Sequence, residues 1–332
     1  MADIVYQTIG QLIEEQAQKY PNREAVVYAD RGLRLTYKEF NAWSDQVAKA
    51  LMALGIEKGE HIAVWTTNVP EWVSLQFATG KMGAPLVTVN TNYRSSELEY
   101  LLKQSDSTTL ILIEQFKDHR FIDTVYEICP ELKTCKPGEL QSKRLPKLKN
   151  VIIISENEFD GVYNWNDIME MANEISDEEL AERKASLHHE EVINLQYTSG
   201  TTGFPKGVML THHNLVNNAK NIAECMKLTY EDRLCIPVPF FHCFGCVIGT
   251  LAIVSVGGTM VPIQEYNPNV VLQTVEKERC TALHGVPTMF ISELNLPNFD
   301  EFDLSSLRTG VMAGSNCPVE VMKAVIQKMG MK

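Results

Sequence analysis

Positive charge is scarce in this chain. Thirty Lys and Arg stand against 42 Asp and Glu, a formal net charge of −12. A surface able to neutralise a run of phosphates is therefore missing, which excludes a general nucleic-acid binder. Long apolar runs are missing too. The longest, Cys246 to Val256, is too short to cross a bilayer and reads as a buried helix or strand, so no transmembrane segment is expected. The opening residues Met1-Ala2-Asp3-Ile4-Val5-Tyr6 carry no basic segment followed by an apolar core, so no secretory signal is read and a cytoplasmic location is expected. Eight cysteines at irregular spacings imply free, mostly buried thiols rather than a disulfide framework. Cys243 and Cys246 form a C-x-x-C beside His242, but neither a thioredoxin setting nor a second ligand pair accompanies them, so no metal site is assigned. His188-His189 and His212-His213 also lack a zinc-protease pattern and read as surface or capping residues.

What is present is material for a large core. A chain of 332 residues with 45% hydrophobic content suggests two lobes rather than one unit. Apolar extended runs alternate with helical periodicity in the manner of an α/β protein. Ile62–Trp65, Leu110–Ile113 and Val151–Ile154 read as buried strands, and Leu98, Leu101 and Leu102 form the apolar face of a helix. The acidic stretch Glu174 to Glu182 reads as a solvated helix, and the basic stretch Lys133 to Lys149 as a surface loop. A lobe boundary is placed near residue 190.

The densest chemistry lies in Tyr197 to Gly207, YTSGTTGFPKG. Glycines let the backbone approach a ligand closely, while hydroxyls and successive N–H groups match phosphate oxygens. Lys206 adds a mobile positive charge, and Pro205 stiffens the loop before it. A plain Ser/Thr/Gly turn between strands is the competing reading. The flanks, Val192 to Tyr197 and Val208 to Leu210, both read as extended, with Thr211 or Asn214 capping a helix beyond. A conventional P-loop instead opens directly into a helix, and its lysine has different neighbours.

Residues 198–207, TSGTTGFPKG, resemble the phosphate-loop signature of the adenylate-forming superfamily, which contains acyl-CoA synthetases, luciferases and the adenylation domains of peptide synthetases. Phe240-Phe241-His242-Cys243-Phe244-Gly245 resemble the family's acid-pocket segment, and Gly310 to Pro318 the strand and turn that meet adenine. Within the family, the insertion from Cys129 to Pro146 and the run Gly285 to Phe290 are similar to medium-chain fatty acyl-CoA synthetases of the acyl-CoA synthetase family member 2 type.

The resemblance implies an acetyl-CoA synthetase-like large N-terminal domain of two sheet-and-helix lobes, truncated before the domain's end. Lobe one would span about 56–190 and lobe two about 8–55 plus 191–332, with the small C-terminal domain absent. It implies a carboxylic acid, ATP, Mg²⁺ and coenzyme A as reactants: the acid attacks the α-phosphate to give an acyl-adenylate and pyrophosphate, and the CoA thiolate then displaces AMP. Phosphate contacts would come from Thr198, Ser199, Gly200, Thr201, Thr202, Gly203 and Lys206. Adenine contacts would come from Ala313, Gly314 and Ser315, and acyl contacts from His242, Phe244 and Gly245, with Val286, Pro287 and Met289 nearby. Gly314 also reads as a simple turn, and His242 as a buried hydrogen-bonding residue. The family's Tyr-Gly-x-Thr-Glu segment and C-terminal lysine are absent, so the chain alone is expected to complete neither half-reaction. The functional alternatives are a nucleotide- or acyl-binding module without catalysis, an aryl-CoA ligase and a peptide-synthetase adenylation domain.

Overall fold

A computed structural model describes residues 3–198 and 205–331. In chain order the strands among them are β1 (Glu24–Tyr28), β2 (Leu33–Thr36), β3 (His61–Trp65), β4 (Leu86–Thr88), β5 (Ser107–Ile113), β6 (Gln115–Phe116), β7 (His119–Arg120), β8 (Asn150–Ile154), β9 (Tyr163–Asn164), β10 (Val192–Thr198), β11 (Lys206–Thr211), β12 (Arg233–Ile236), β13 (Thr259–Pro262), β14 (Ala282–Gly285) and β15 (Thr309–Met312). Helices separate most of them, as the α/β alternation of the sequence requires.

The chain divides into two compact units. The first contains Gln11–Asn41 and the chain from Leu215 onward; the second contains Tyr6–Gly10 and Ala42–Asn214. The sheet of the first unit has the order β15-β14-β12-β13-β1-β2. All its pairings are parallel except the β1–β2 hairpin at one edge. The second unit's sheet has the order β11-β10-β4-β3-β5-β8-β9. It is parallel from β10 to β9, with β11 antiparallel at the edge.

The three apolar runs singled out in the sequence become β3, β5 and β8, adjacent parallel strands buried along most of their length. Strands covered by helices on both faces need such continuous apolar character. Leu98, Leu101 and Leu102 are the buried face of helix Ser95–Gln104. The acidic stretch forms helix Asp177–Ala185, which buries only Leu180. It opens on a capping box in which Ser176 Oγ accepts from the Glu179 N–H and Glu179 Oε2 from the Ser176 N–H.

The division differs from the sequence expectation in three places, each for a physical reason. Residues 8–10 lie with the second unit, where the Ile9 N–H bonds to His212 Nδ1. Residues 191–214 stay with the second unit rather than leaving it near residue 190, because Asn194 and Leu195 of β10 pair with Leu86 and Val87 of β4. Residues 42–55 also belong there. Asp45 and Lys49 on the second part of helix Tyr37–Ala53 form ion pairs with Lys81 (2.9 Å), Lys184 (2.6 Å) and Asp177 (2.5 Å) of the same unit.

Two local outcomes are new. The run Cys246 to Val256 is π-helical over Phe244–Leu251 before an α-helical turn, Ala252–Ser255. His212 is fully buried, and its Nδ1 accepts the N–H of Ile9, the first residue of helix Ile9–Lys19. It therefore caps a helix two hundred positions away in sequence rather than its own, which Thr211 and Asn214 cap reciprocally. All eight cysteines are free thiols, four of them buried.

The core of the first unit joins Val27, Cys235, Val261 and Leu283 from its strands to Val271, Leu272, Phe290, Val325 and Met329 from its helices. Glu293 is 1% exposed, and its Oε2 has no hydrogen-bond partner among the described residues. Burial pushes the carboxyl up to about 8 from its ordinary 4.5. Between those two values the unfolded chain ionises while the folded chain keeps the proton, so this group costs progressively more stability as pH rises. Replacing Glu293 with Met should leave denaturant stability nearly unchanged at pH 4.5 and raise it increasingly towards pH 8. Parallel pH profiles for parent and variant would contradict that account.

Candidate active site

The Thr/Ser/Gly-rich loop joins two antiparallel strands of the second unit. β10 ends at Thr198 and β11 begins at Lys206, and these two residues are register partners. Both side chains are exposed. The loop thus leaves the carboxyl end of a strand that runs parallel to β4, the edge at which open α/β sheets bind ligands. Its base is anchored on helix Ser95–Gln104. The Tyr197 hydroxyl bonds to Gln104 Oε1, and the Tyr100 hydroxyl donates to the Pro205 carbonyl at 3.1 Å. Burial of the Tyr197 ring pushes its phenol up to about 12, so it stays a neutral donor. Ser199, Gly200, Thr201, Thr202 and Gly203 lie outside the described residues.

In the first unit, three segments follow the carboxyl ends of neighbouring parallel strands. Pro239–Gly245 comes after β12, Val286–Met289 after β14 and Ala313–Ser315 after β15. The sheet's directionality brings them to one edge. The first is a tight turn: the Pro239 carbonyl accepts from the His242 N–H at 3.2 Å, and the His242 carbonyl from the Gly245 N–H at 2.9 Å. A side chain on Gly245 would place Cβ 2.3 Å from the Pro239 oxygen, so only glycine closes this turn without a shift.

His242 keeps its ring exposed while Nδ1 accepts the Phe244 N–H at 3.1 Å. Partial desolvation lowers its pKa. Both observations favour a neutral imidazole whose Nε2–H can donate outward. Phe244 and Gly245 are buried and open the π-helix, so they line the turn from beneath. At β15, the Ala313 N–H bonds to the Gly285 carbonyl at 3.3 Å. Gly314 takes φ +89°, with its would-be Cβ 3.0 Å from Val286 Cγ1, and Gly314 and Ser315 are exposed. The adenine and post-β14 segments expected from the sequence therefore meet. The lone polar residue in the β14 run, His284, was not among the expected site residues, although a histidine inside an apolar strand was the visible signal.

The exposed hydroxyl and ammonium at the loop's two ends suit a phosphate. Among the described residues, no group of three His, Cys, Asp or Glu is placed to hold a metal ion, so none is assigned to Mg²⁺. No helix among them is long and apolar enough to cross a membrane.

A family model for AMP-binding enzymes matches residues 13–332. The chain belongs to the AMP-binding enzyme family. It is 59% identical over 332 residues to YngI of Bacillus subtilis (strain 168), a protein named only provisionally as an acyl-CoA synthetase, and covers 60% of it. It is 38% identical over 330 residues to the mitochondrial medium-chain acyl-CoA ligase ACSF2 of Danio rerio, with 98% of this chain and 54% of that protein covered. The crystal structure of the anthranilate CoA ligase AuaEII with anthranoyl-AMP superposes on the whole chain with a TM-score of 0.83 at 25% identity, covering 59% of that protein. The chain thus spans a little over half the length of these relatives. As an AMP-binding fold it has the architecture expected from the sequence, an acetyl-CoA synthetase-like domain of two sheet-and-helix units.

Gly245→Ala should destabilise the turn by about 1–3 kcal/mol and lower the first unit's unfolding midpoint. Gly314→Ala forces a side chain into a left-handed conformation and should cost about 1 kcal/mol or more. Thermal unfolding of both variants tests this, and unchanged midpoints would refute the close approach.

Proposed function

We propose that this chain carries the phosphate loop and acid pocket of an ATP-dependent, AMP-forming fatty acid–CoA ligase for medium-chain acids. The observation that carries this reading is the convergence of His242–Gly245, Val286 and Ala313–Ser315 at the carboxyl edge of one parallel sheet, in a family whose ACSF2 relative is named a medium-chain acyl-CoA ligase. In this reading the Thr198, Ser199, Thr201 and Thr202 hydroxyls, the N–H groups of Gly200 and Gly203, and Lys206 hold the β- and γ-phosphates. Lys206 offsets the repulsion between the incoming carboxylate and the triphosphate and stabilises the departing pyrophosphate. Ala313–Ser315 give adenine a flat slot, while Phe244 and Gly245 give the acyl chain an apolar wall. His242 donates from Nε2 towards the carboxylate. ATP, Mg²⁺ and coenzyme A are the reactants, Mg²⁺ supplying charge neutralisation on the phosphates when bound. A cytoplasmic setting belongs to the same proposal.

The anthranilate CoA ligase structure favours one second reading, an aryl-CoA ligase. Acid-dependent exchange of pyrophosphate into ATP by the protein of the complete reading frame, with butanoate, octanoate, palmitate and benzoate, separates the two. Octanoate should be preferred; benzoate preferred over all three aliphatic acids would overturn the proposal. Lys206→Ala should weaken ATP binding about tenfold to a hundredfold in a direct titration, the loss expected for a charged phosphate contact. Unaltered ATP affinity would remove Lys206 from the phosphate site.

A further inference from the structure

His284 is a buried polar side chain that touches the acid-pocket turn and has no part in the chemistry above. It stands third in β14 and is fully buried. Its Nε2 lies 3.1 Å from the carbonyl oxygen of Ile248, midway along the π-helix that Phe244 opens. Its ring centroid is 5.3 Å from that of Phe244 at an interplanar angle of 37°. Nδ1 has no hydrogen-bond partner among the described residues. Burial holds the imidazole near a pKa of about 4, so at neutral pH it is uncharged, with its proton on Nε2 and donated to Ile248.

Leaving a buried nitrogen unpaired is costly, and a leucine or phenylalanine would fill this space without that cost. The bond to the Ile248 carbonyl is therefore what accounts for the residue type. That bond reaches a π-helix, a backbone form with fewer stabilising repeats than an α-helix and one that recurs at functional sites. Gly249 of the same stretch lies so close to β12 that a Cβ there would come 3.0 Å from Ile236 Cγ2. The turn is thus seated on one strand and clamped from the next.

We propose that His284 is a positioning residue for the acid pocket: by holding the Ile248 carbonyl from β14, it fixes the π-helical turn and sets the Phe244 ring against which the acyl chain packs. This rests on the fatty acid–CoA ligase reading. His284 does not touch the reacting atoms. Its loss should act on the acyl part of a ligand and leave the nucleotide part alone.

The test uses the chain as it stands, titrated calorimetrically with AMP and separately with octanoyl-sulfamoyl-adenosine, an unreactive mimic of the acyl-adenylate. His284→Leu should weaken the octanoyl mimic about tenfold and leave AMP unchanged. His284→Gln, whose amide N–H can reach the same carbonyl, should recover most of that loss. Amide hydrogen exchange over residues 244–253 should quicken in the Leu variant and stay slow in the Gln variant. If the Leu variant does not fold, His284→Met fills the space equally without a donor and replaces it. Equal affinity for the mimic in parent and Leu variant overturns the proposal, as does a Gln variant no better than Leu. A parent that binds AMP but gains nothing from the octanoyl group overturns the ligase reading instead, and the exchange comparison then decides whether His284 clamps the turn.

Discussion

Parallel pairing is the constraint on which the candidate site depends. A parallel strand cannot return to its neighbour by a short hairpin, so each crossover is long and every strand ends at the same edge. In the first unit this brings the segments after β12, β14 and β15 together although 45 residues lie between β12 and β14 and 23 between β14 and β15. In the second it sends the Thr/Ser/Gly loop out from the carboxyl end of β10, beside β4. Reversing one strand of the first unit's sheet would move its loop to the opposite edge, away from the other two.

Buried polar groups divide into two kinds, and the division separates support from function. Glu278, nearly fully buried, is bridged by Arg34 at 2.5 Å and Arg233 at 2.9 Å, and fully buried Lys81 is paired with Asp45 at 2.9 Å. Each of these charges has a close partner, and removing one partner would strand the other. His284 and Glu293 have no ionic partner among the described residues, and burial keeps them neutral instead. Neutrality suits His284, since an uncharged imidazole can donate to a carbonyl without carrying a charge into an apolar strand. For Glu293, Oε2 has no compensating hydrogen bond among the described residues.

Much of this arrangement is legible in the residues, and the rest fails to show for definable reasons. The runs that become β3, β5 and β8 are readable because burial on both faces demands unbroken apolar character. The two-stranded flanks of the Thr/Ser/Gly loop are readable from the extended runs on either side of Tyr197–Gly207. The unit boundary is not: an acidic, solvated helix near residue 180 resembles a linker, whereas the pairing of β10 with β4 holds the following residues in place. The π-helix carries no periodic signature that distinguishes it from a short α-helix or a strand. His212 reads from the sequence as a surface or capping residue, but which helix it caps does not show, because the N–H it accepts belongs to Ile9, far away in sequence.

The sequence by itself determined the family, the α/β class and the chemical types of the candidate site, because hydroxyl, glycine and lysine patterns and apolar runs are local properties of the chain. Only the tertiary structure decided which strands are neighbours, where one unit gives way to the other, and that His284 of β14 meets the Phe244 turn. Those outcomes depend on contacts between residues distant in sequence, and their register is set by the packing of whole sheets.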